Sequence, residues 1–176
     1  MEIKSLNIAD ISSDLLIHFS HEQMITQKWI KNDGEWKLCD TSELREWSLE
    51  KRVWITEYMC QQINRGGTVL GTFYNNILVG FCCLDGILSG KSAKYANLTM
   101  LFVDDDWKRM GVGKMLFQEV CNHAIALGAE KLFISAIPSA ETIAFYFKMG
   151  CVDTKEIVEE FVDTENDRYL EYNLKL

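Results

Sequence analysis

The sequence predicts an α/β fold in which a single mixed β-sheet is flanked by helices. Three observations support this prediction. Strand-like and helix-like segments alternate through residues 68–176. The first two strand-like runs are separated by two asparagines, a spacing typical of an antiparallel hairpin. A strand, a helix and another strand then follow one another, which is the order of a parallel crossover unit.

The sequence shows no sign of a boundary between domains. The chain has 176 residues, of which 48% are hydrophobic, and this suits one compact core. No repeat, low-complexity tract or proline-rich linker interrupts it, and Pro138 is the single proline. We therefore expect one domain over residues 1–176, with a helical segment over residues 1–67 and a sheet-containing core over residues 68–176.

Apolar spacing in the first third predicts helices. Between residue 8 and about residue 30 the apolar side chains recur at loosely helical intervals, which predicts one or two short helices. Thr41 or Ser42 is expected to cap a longer helix, which two glycines at positions 66 and 67 end. The apolar positions assigned to that helix are Leu44, Trp47, Trp54, Ile55, Tyr58 and Met59.

Alternation and turn residues define the later elements. Thr68–Tyr74 and Ile77–Leu84 are predicted strands, joined by two asparagines that tolerate the positive φ of tight turns. Tyr95–Val103 is predicted as the next strand. The remaining predicted elements are a helix over Gly113–Leu127 stopped by Gly128, a strand over Lys131–Ile137, a helix over Ser139–Met149, and strands over Lys155–Val162 and Arg168–Leu176.

The charge balance restricts the partners. A formal net charge of −8 and a sequence pI of about 4.9 argue against a nucleic-acid surface, which needs clustered lysine and arginine on one face. An acidic body favours cationic small molecules or basic peptides instead, although most surface charges serve only to keep a protein in solution. We therefore expect no nucleic-acid partner.

The cysteines and the N-terminal residues indicate a reducing compartment. Six cysteines form no CxxC pair and no zinc-ligand pattern with the three histidines, so reduced thiols and no metal site are expected. His18 and His21 are spaced for one helix face but lack further ligands. Residues 1–10 contain no secretory signal and no transmembrane run. These features predict a cytoplasmic protein without a membrane partner.

The predicted strand that ends at Val103 leads into a glycine-containing loop, which opens a helix. Because Gly111 and Gly113 lack a Cβ atom, a pyrophosphate can approach the backbone N–H groups of the first helical turn. The residues that add positive charge nearby are Lys108, Arg109 and Lys114. By itself this pattern leaves two interpretations open, a phosphate site and ordinary turn chemistry.

Two common nucleotide-binding loops are excluded by spacing. In a Walker A loop a glycine stands where this chain has Lys108, and a serine or threonine stands where it has Met115. The dinucleotide fingerprint requires a third glycine at the position of Leu116. The loop therefore belongs to neither class.

With this loop the chain resembles the GCN5-related N-acetyltransferase (GNAT) family, over roughly residues 68–176. The family motif Gln/Arg-x-x-Gly-x-Gly/Ala, which follows a strand ending in valine, is similar to residues 108–113. Lys108 departs from the motif at its first position. A lysine keeps the positive charge of arginine but lacks its planar donor fork.

A second family signature lies about 30 residues later. The pattern Asn-x-x-Ala-x-x-Phe-Tyr-x-x-x-Gly-Phe is similar to residues 139–151, where the Phe-Tyr pair and the following glycine match. Ser139, Thr142 and Cys151 depart from the pattern. Two motifs in the family's order, separated by a predicted helix and strand, are far more specific than either motif alone.

The resemblance implies a GNAT acyl-CoA N-acyltransferase fold and an enzyme. The expected reaction moves an acetyl group from acetyl-CoA, the co-substrate, to a primary amine of a small molecule by direct attack. Residues 1–67 are then the acceptor side, and residues 68–176 bind the cofactor. Two alternatives stay open, a peptide or protein N-acetyltransferase of the same fold and a non-catalytic acyl-CoA sensor. The oligomeric state also stays open, and a homodimer is compatible with the sequence.

The resemblance also implies the site residues. Tyr146 corresponds to the tyrosine that protonates the departing thiolate. Free tyrosine has a pKa of about 10 and a thiol about 8.5, so this transfer is uphill by roughly 2 kcal/mol and its effect is expected to be moderate. A core aromatic is the alternative role of Tyr146. The implied cofactor-binding residues are Leu101, Phe102, Val103, Lys108, Arg109, Met110, Gly111, Val112, Gly113, Lys114, Ser139 and Thr142.

The proton acceptor for the attacking amine is not specified by sequence. A lysine-like amine has a pKa of about 10.4, so only about one molecule in a thousand is neutral at pH 7. Because the strand over Tyr95–Val103 has no carboxylate, Asp85, Glu57 and a chain of waters stay open for this role. The three carboxylates of residues 104–106 are expected to be solvated and directed away from the loop, with one capping a helix.

The tryptophans are candidates for the acceptor pocket, because cations stack on indole faces. Core packing is expected for most of them. Trp36, in a predicted polar loop, is the one whose exposure would favour contact with a substrate. The tryptophans considered are Trp29, Trp36, Trp47 and Trp54.

Overall fold

The computed structural model describes residues 1–174, which form two β-sheets and three α-helices. In chain order the strands are β1 (Glu2–Ser5), β2 (Glu22–Asn32), β3 (Glu35–Glu46), β4 (Thr68–Tyr74), β5 (Ile77–Ser89), β6 (Tyr95–Val103), β7 (Lys131–Ala136), β8 (Val152–Asp153) and β9 (Arg168–Asn173). The helices are α1 (Leu49–Asn64), α2 (Val112–Leu127) and α3 (Ala140–Met149). Among the residues described, no helix is long and apolar enough to span a membrane.

The large sheet has seven strands in the order β1-β4-β5-β6-β7-β9-β8. Its neighbouring strands are antiparallel except β6 and β7, which run parallel and are connected by α2. Strands β2 and β3 form a separate two-stranded hairpin. The predicted single mixed sheet with flanking helices is confirmed for the core, and the hairpin is added to it.

Side chains on the two faces of the large sheet build different cores, since successive strand residues point to opposite faces. On one face Ala96 and Leu98 pack with residues of α2 and α3, and we call this the α2-face core. On the other face Phe81 and Val69 pack with Ile55 of α1, and we call this the α1-face core. A smaller group on this second face, the β9-side cluster, consists of Tyr95, Phe133, Val158 and Phe161.

Local sequence signals place most of the core elements correctly. The turn between β4 and β5 has positive φ at both Asn75 and Asn76, at 48° and 63°. Gly128 adopts the left-handed conformation that ends α2. Ser139 caps α3, because its side chain accepts a hydrogen bond from the Thr142 N–H.

The prediction of helices between residues 8 and 30 is wrong. This segment contains only a short 3-10 helix, Ile8–Asp10, and then strand β2. The hairpin turn at Asp33 and Gly34 has positive φ at both positions, and apolar partners such as Met24 and Leu44 face each other across the ladder. Apolar spacing alone did not distinguish the two periods here, since the adjacent apolar pairs at residues 24–25 and 29–30 break the alternation expected of a strand.

The start of the long helix was also predicted too early. Thr41 and Ser42 lie within β3, and α1 begins at Leu49. Ser48 is its cap, accepting a hydrogen bond from the Lys51 N–H over 3.1 Å. The segment before the core is therefore a hairpin followed by one helix.

The predicted strand over residues 155–162 is wrong as well. Its second half forms a 3-10 helix, Glu159–Phe161, which brings Val158 and Phe161 onto Phe133. The last predicted strand is confirmed as β9, and its two final residues lie outside the described part of the chain. The short strands β1 and β8 were not predicted, because runs of four and two residues carry little periodic signal.

Candidate active site

Strands β6 and β7 separate from each other part-way along their length. Their parallel pairing covers three positions and ends where Asn97 faces Phe133. Strand β6 nevertheless stays paired with β5 as far as Val103, and β7 stays paired with β9 as far as Ala136. Beyond Asn97, β6 and β7 therefore form no backbone hydrogen bonds with each other. This leaves a split in the sheet with backbone N–H and C=O groups along its sides.

A β-bulge lies beside the split. Leu98 and Met100 of β6 pair with consecutive residues of β5, so Thr99 is an extra residue in the ladder. The Thr99 hydroxyl donates to the carbonyl oxygen of Cys83 over 3.3 Å. The bulge places Leu98 in the α2-face core and Met100 against the α1-face core.

The N-terminus of α2 follows the open end of β6. Gly111 is the cap residue, with a φ of 88°, and it offers no side-chain hydrogen bond to the helix. The first turn of α2 has no acidic residue. A Cβ atom on Gly111 would point into open space. The helix therefore begins with N–H groups that no side chain caps and with its positive dipole end unneutralised, as an anion-binding site requires.

The positive side chains of the loop differ in their surroundings. The Lys108 ammonium lies 2.7 Å from a carboxylate oxygen of Asp105, so much of its charge is compensated within the chain. Arg109, whose φ is 62°, and Lys114 are exposed next to Gly111. These two residues supply the positive charge that faces solvent at this end of α2.

Close packing requires a glycine at position 113. A Cβ atom there would lie 3.1 Å from the Phe145 ring and 3.5 Å from a Val103 methyl group. We predicted that both glycines keep side chains away from phosphate. The structure shows instead that Gly113 allows α2 to approach α3 and β6, while Gly111 alone borders the open space.

The prediction that the acidic residues 104–106 are solvated is wrong for two of them. Asp104 is buried, and its carboxylate accepts hydrogen bonds from the N–H groups of Ser20 and Asp106 over 2.7 and 3.0 Å. Asp105 accepts one from the Glu22 N–H over 2.6 Å. The predicted capping role is confirmed for Asp104. The two carboxylates connect the start of the β2–β3 hairpin to the loop between β6 and α2.

Ser139 and Thr142 lie under the hairpin. Ser139 is buried, and its hydroxyl donates to the Thr142 hydroxyl over 2.8 Å. The Gln23 amide of β2 donates to the Ser139 hydroxyl over 3.2 Å, and the Trp29 N–H donates to the Pro138 carbonyl over 2.7 Å. Sequence analysis missed Gln23, because its segment was predicted to be helical.

Tyr146 lies in the α2-face core with only 7% of its surface exposed. Its ring packs edge-on against Phe145 and Phe117, with centroids 5.1 and 6.2 Å apart. Burial raises the pKa of Tyr146 well above 10, and the nearby Cys151 and Cys82 thiols raise it further. Leu101 of β6, which borders the split, packs against the same core. Tyr146 is therefore a core residue with a protonated hydroxyl.

The tryptophans are used mainly for internal packing. Trp36 lies with its ring 4.8 Å from the buried Arg168 guanidinium, and Trp29 lies 4.9 Å from the same group. Trp47 is buried in the α1-face core. Trp54 is 45% exposed, but the Lys51 ammonium lies 3.7 Å from its ring centroid and forms a cation–π contact with it. The structure thus gives Trp36, the predicted substrate contact, an internal cation as its partner.

The two N-terminal histidines do not share a helix face, because no helix forms there. His21 packs between the rings of Trp47 and Phe102, at 4.4 and 5.1 Å. Burial lowers the pKa of His21 to about 4, against a smaller opposing effect of Asp105. The imidazole is therefore neutral at pH 7. Within residues 1–174, no group of three or more potential ligands is arranged to hold a metal ion.

A sequence model of the acetyltransferase (GNAT) family matches residues 23–151 of this chain. The chain belongs to the GNAT family. It is accordingly an acetyl-CoA-dependent acetyltransferase, and acetyl-CoA is its co-substrate. The match includes the hairpin, which the resemblance of residues 68–176 did not cover.

Solved structures share the GNAT fold over the full chain. Nourseothricin acetyltransferase is 13% identical, with a TM-score of 0.71, and the match covers 99% of this chain and 98% of that one. A putative streptothricin acetyltransferase from Bacillus anthracis, solved with acetyl coenzyme A, is 17% identical with a TM-score of 0.68, and 98% of each chain is covered.

A third GNAT structure is the ribosomal-protein-S18-alanine N-acetyltransferase of Escherichia coli. It is 17% identical with a TM-score of 0.59, and the match covers 99% of this chain and 94% of that one. At these identities the likeness establishes the fold and not the acceptor. No curated protein sequence matches this chain significantly.

Proposed function

We propose that this GNAT enzyme acetylates a primary amine of a small, cationic molecule in the cytoplasm. The observation that carries the proposal is the split between β6 and β7, which opens next to the uncapped start of α2. The split offers backbone groups to an extended arm, and the helix start offers N–H groups to a pyrophosphate. The free thiol state of all six cysteines supports a reducing compartment.

The β2–β3 hairpin favours a small acceptor over a polypeptide. Its first residues are bound to Asp104 and Asp105 at the end of β6, and its middle is bound to Pro138 and Ser139 after β7. The hairpin therefore reaches from one side of the split to the other. Such a closure suits a pocket, whereas an extended peptide needs an open groove.

The residues of the chain have separable tasks in the proposed reaction. When bound, acetyl-CoA supplies an acetyl group activated as a thioester. The Arg109–Lys114 segment binds the pyrophosphate, and the free edge of Leu101–Val103 orients the pantetheine arm. Thr142, at the start of α3, contacts the cofactor in this proposal, and the buried Ser139 orients it through the hydrogen bond between their hydroxyls.

The proton balance of the reaction involves Tyr146 and solvent. The nitrogen of the neutral amine forms a bond to the acetyl carbon, the carbon–sulfur bond breaks, and the nitrogen releases one proton to water. Tyr146 gives its hydroxyl proton to the departing sulfur and regains one from solvent. Of the two carboxylates considered as proton acceptors, Asp85 lies near the split. Glu57 lines a separate surface groove with Ile11 and Ser13.

Incubation with acetyl-CoA and a panel of small amines tests this function. We expect release of free thiol in proportion to acetylated amine, measured by a thiol reagent and by mass spectrometry. Basic peptides of similar charge serve as the comparison. Preferential acetylation of the peptides would favour the polypeptide alternative, and coenzyme A binding without thiol release from any acceptor would favour a sensor.

Tyr146→Phe is expected to lower kcat by about 10- to 100-fold and to leave coenzyme A affinity and thermal stability unchanged. The phenyl ring keeps the packing against Phe117 and Phe145 but removes the proton donor. Steady-state kinetics, calorimetric titration and thermal unfolding measure the three quantities. If kcat stays at the wild-type value, Tyr146 is a core aromatic only.

A further inference from the structure

The α1 face of the large sheet carries a polar gap above the split. The α1-face core and the β9-side cluster are separate groups of apolar side chains on this one face, whereas the opposite face carries one continuous core. The residues at the gap come from β5, β6, β7 and α1. The gap therefore lies beside the split, on the face of the sheet opposite α2.

Asn97 is the buried polar residue of the gap. Only 8% of its surface is exposed, and its side-chain amide forms no hydrogen bond with any part of residues 1–174. Alternation along β6 places it on the same face as Tyr95, so its side chain points into the gap. It is also the last residue of β6 that pairs with β7. Because the amide atoms are not fully shielded from solvent, a ligand in the gap can replace water as their hydrogen-bonding partner.

Two carboxylates flank Asn97 from opposite sides. Asp85 begins an irregular stretch of β5, residues 85–87, which lies opposite Asn97 in the β5–β6 ladder. Glycine at position 86 allows that stretch to approach the Gly66 backbone closely, since a Cβ atom there would lie only 2.4 Å from it. On the other side the Asp163 N–H donates to the Ser135 hydroxyl over 3.1 Å, and Ser135 is two residues beyond the end of the β6–β7 pairing.

Tyr58 of α1 completes the gap. Burial raises the pKa of the half-buried Tyr58, the charges of Asp85 and Asp163 raise it further, and the Thr99 hydroxyl opposes them by hydrogen bonding. The charges of both carboxylates therefore act on the same hydroxyl group. Neither of them forms an ion pair with a lysine, arginine or histidine in the described chain. Asp85 is half-buried and accepts one hydrogen bond, from the Ile87 N–H over 3.2 Å, while Asp163 is exposed, so both charges are open to a cationic ligand.

We infer that Asn97, Tyr58, Asp85 and Asp163 form the acceptor subsite, and that it selects a diamine. One nitrogen of the acceptor faces Asn97 and the split, and its second, charged nitrogen is bound by the two carboxylates. This inference rests on the proposed function, in which the acetyl group moves from acetyl-CoA to an amine. It adds the substrate class, because two carboxylates without an ion pair give the gap more negative charge than one ammonium group neutralises.

Putrescine and butylamine test the selection, since they have the same carbon count and differ by one ammonium group. We expect a kcat/KM at least about tenfold higher for putrescine in the wild type. Asp85→Asn and Asp163→Asn should each remove most of that preference, measured as the ratio of kcat/KM for putrescine to kcat/KM for butylamine. The matched controls are Glu57→Gln, on the other side of α1, and Glu165→Gln, in the same loop as Asp163.

Calorimetric titration of putrescine into the coenzyme A complex tests the same subsite without turnover. We expect binding to the wild type and both control variants, and at least about tenfold weaker binding to Asp85→Asn and Asp163→Asn. Equal binding to all five proteins, or no binding to the wild type, overturns the inference. Acetylation of both amines with equal efficiency overturns it too while leaving the proposed function intact. Putrescine binding without any acetylation would support the diamine subsite and contradict the proposed function.

Discussion

Gly111→Val is expected to lower the affinity for acetyl-CoA by at least about 100-fold. The Cβ of residue 111 points into the open space at the start of α2, where the pyrophosphate must approach the N–H groups. The φ of 88° is also poor for a β-branched residue, so the backbone is expected to shift and to turn those N–H groups away. Calorimetric titration with coenzyme A measures the effect.

Gly34→Val is the matched control for this variant. Gly34 has a similar φ of 82° and also faces open space, but it lies in the turn of the β2–β3 hairpin. We expect both variants to lose similar stability, about 1–3 kcal/mol, and Gly34→Val to keep wild-type affinity for coenzyme A. Affinities within threefold of each other in the two variants would show that the start of α2 does not bind the pyrophosphate.

Asp153→Ala is expected to lower the free energy of unfolding by about 3 kcal/mol. Asp153 binds Arg168 with two hydrogen bonds of 2.7 and 2.8 Å, and only 5% of the arginine is exposed. Three aromatic rings, of Trp29, Trp36 and Phe147, surround the guanidinium at 4.8 to 5.0 Å. Without the carboxylate this buried charge has no counterion, and the aromatic faces compensate only part of the loss. Urea unfolding measures the difference.

Arg168→Met provides the contrast for that measurement. This variant removes the buried guanidinium charge, so no counterion is needed. It also keeps an apolar side chain among the three rings. We therefore expect a smaller loss of stability than for Asp153→Ala. Asp153 is half-exposed and tolerates solvent in the absence of the arginine. If Arg168→Met is the more damaging of the two, the site is held by packing and not by the ion pair.

Local signals explain which parts of the fold could be predicted. The asparagine turn between β4 and β5, the stop of α2 at Gly128 and the cap of α3 at Ser139 each act within a few residues. The hairpin could not be recognised from its apolar spacing, because what stabilises it is pairing such as Trp29 with Leu38 and the contact of Trp29 with Arg168. Those partners are known only once the chain is folded.

The two halves of the candidate site differ in the same way. The cofactor loop occupies one short stretch ending at Gly113, so its residue pattern is visible in the sequence. The acceptor gap combines Tyr58, Asp85, Asn97 and Asp163 from separate segments, and no spacing connects them. Of these four residues, the sequence analysis considered only Asp85 as a site residue. It considered Asp85 as a proton acceptor, because β6 itself contains no carboxylate.

The separation of β6 from β7 has a kinetic consequence. The gap between the strands joins the two faces of the sheet, with the start of α2 on one face and Tyr58 and Asn97 on the other. We therefore expect both substrates to bind before either product leaves. Double-reciprocal plots at several fixed concentrations of the second substrate should then give intersecting lines, the pattern of a ternary complex, and parallel lines would contradict it.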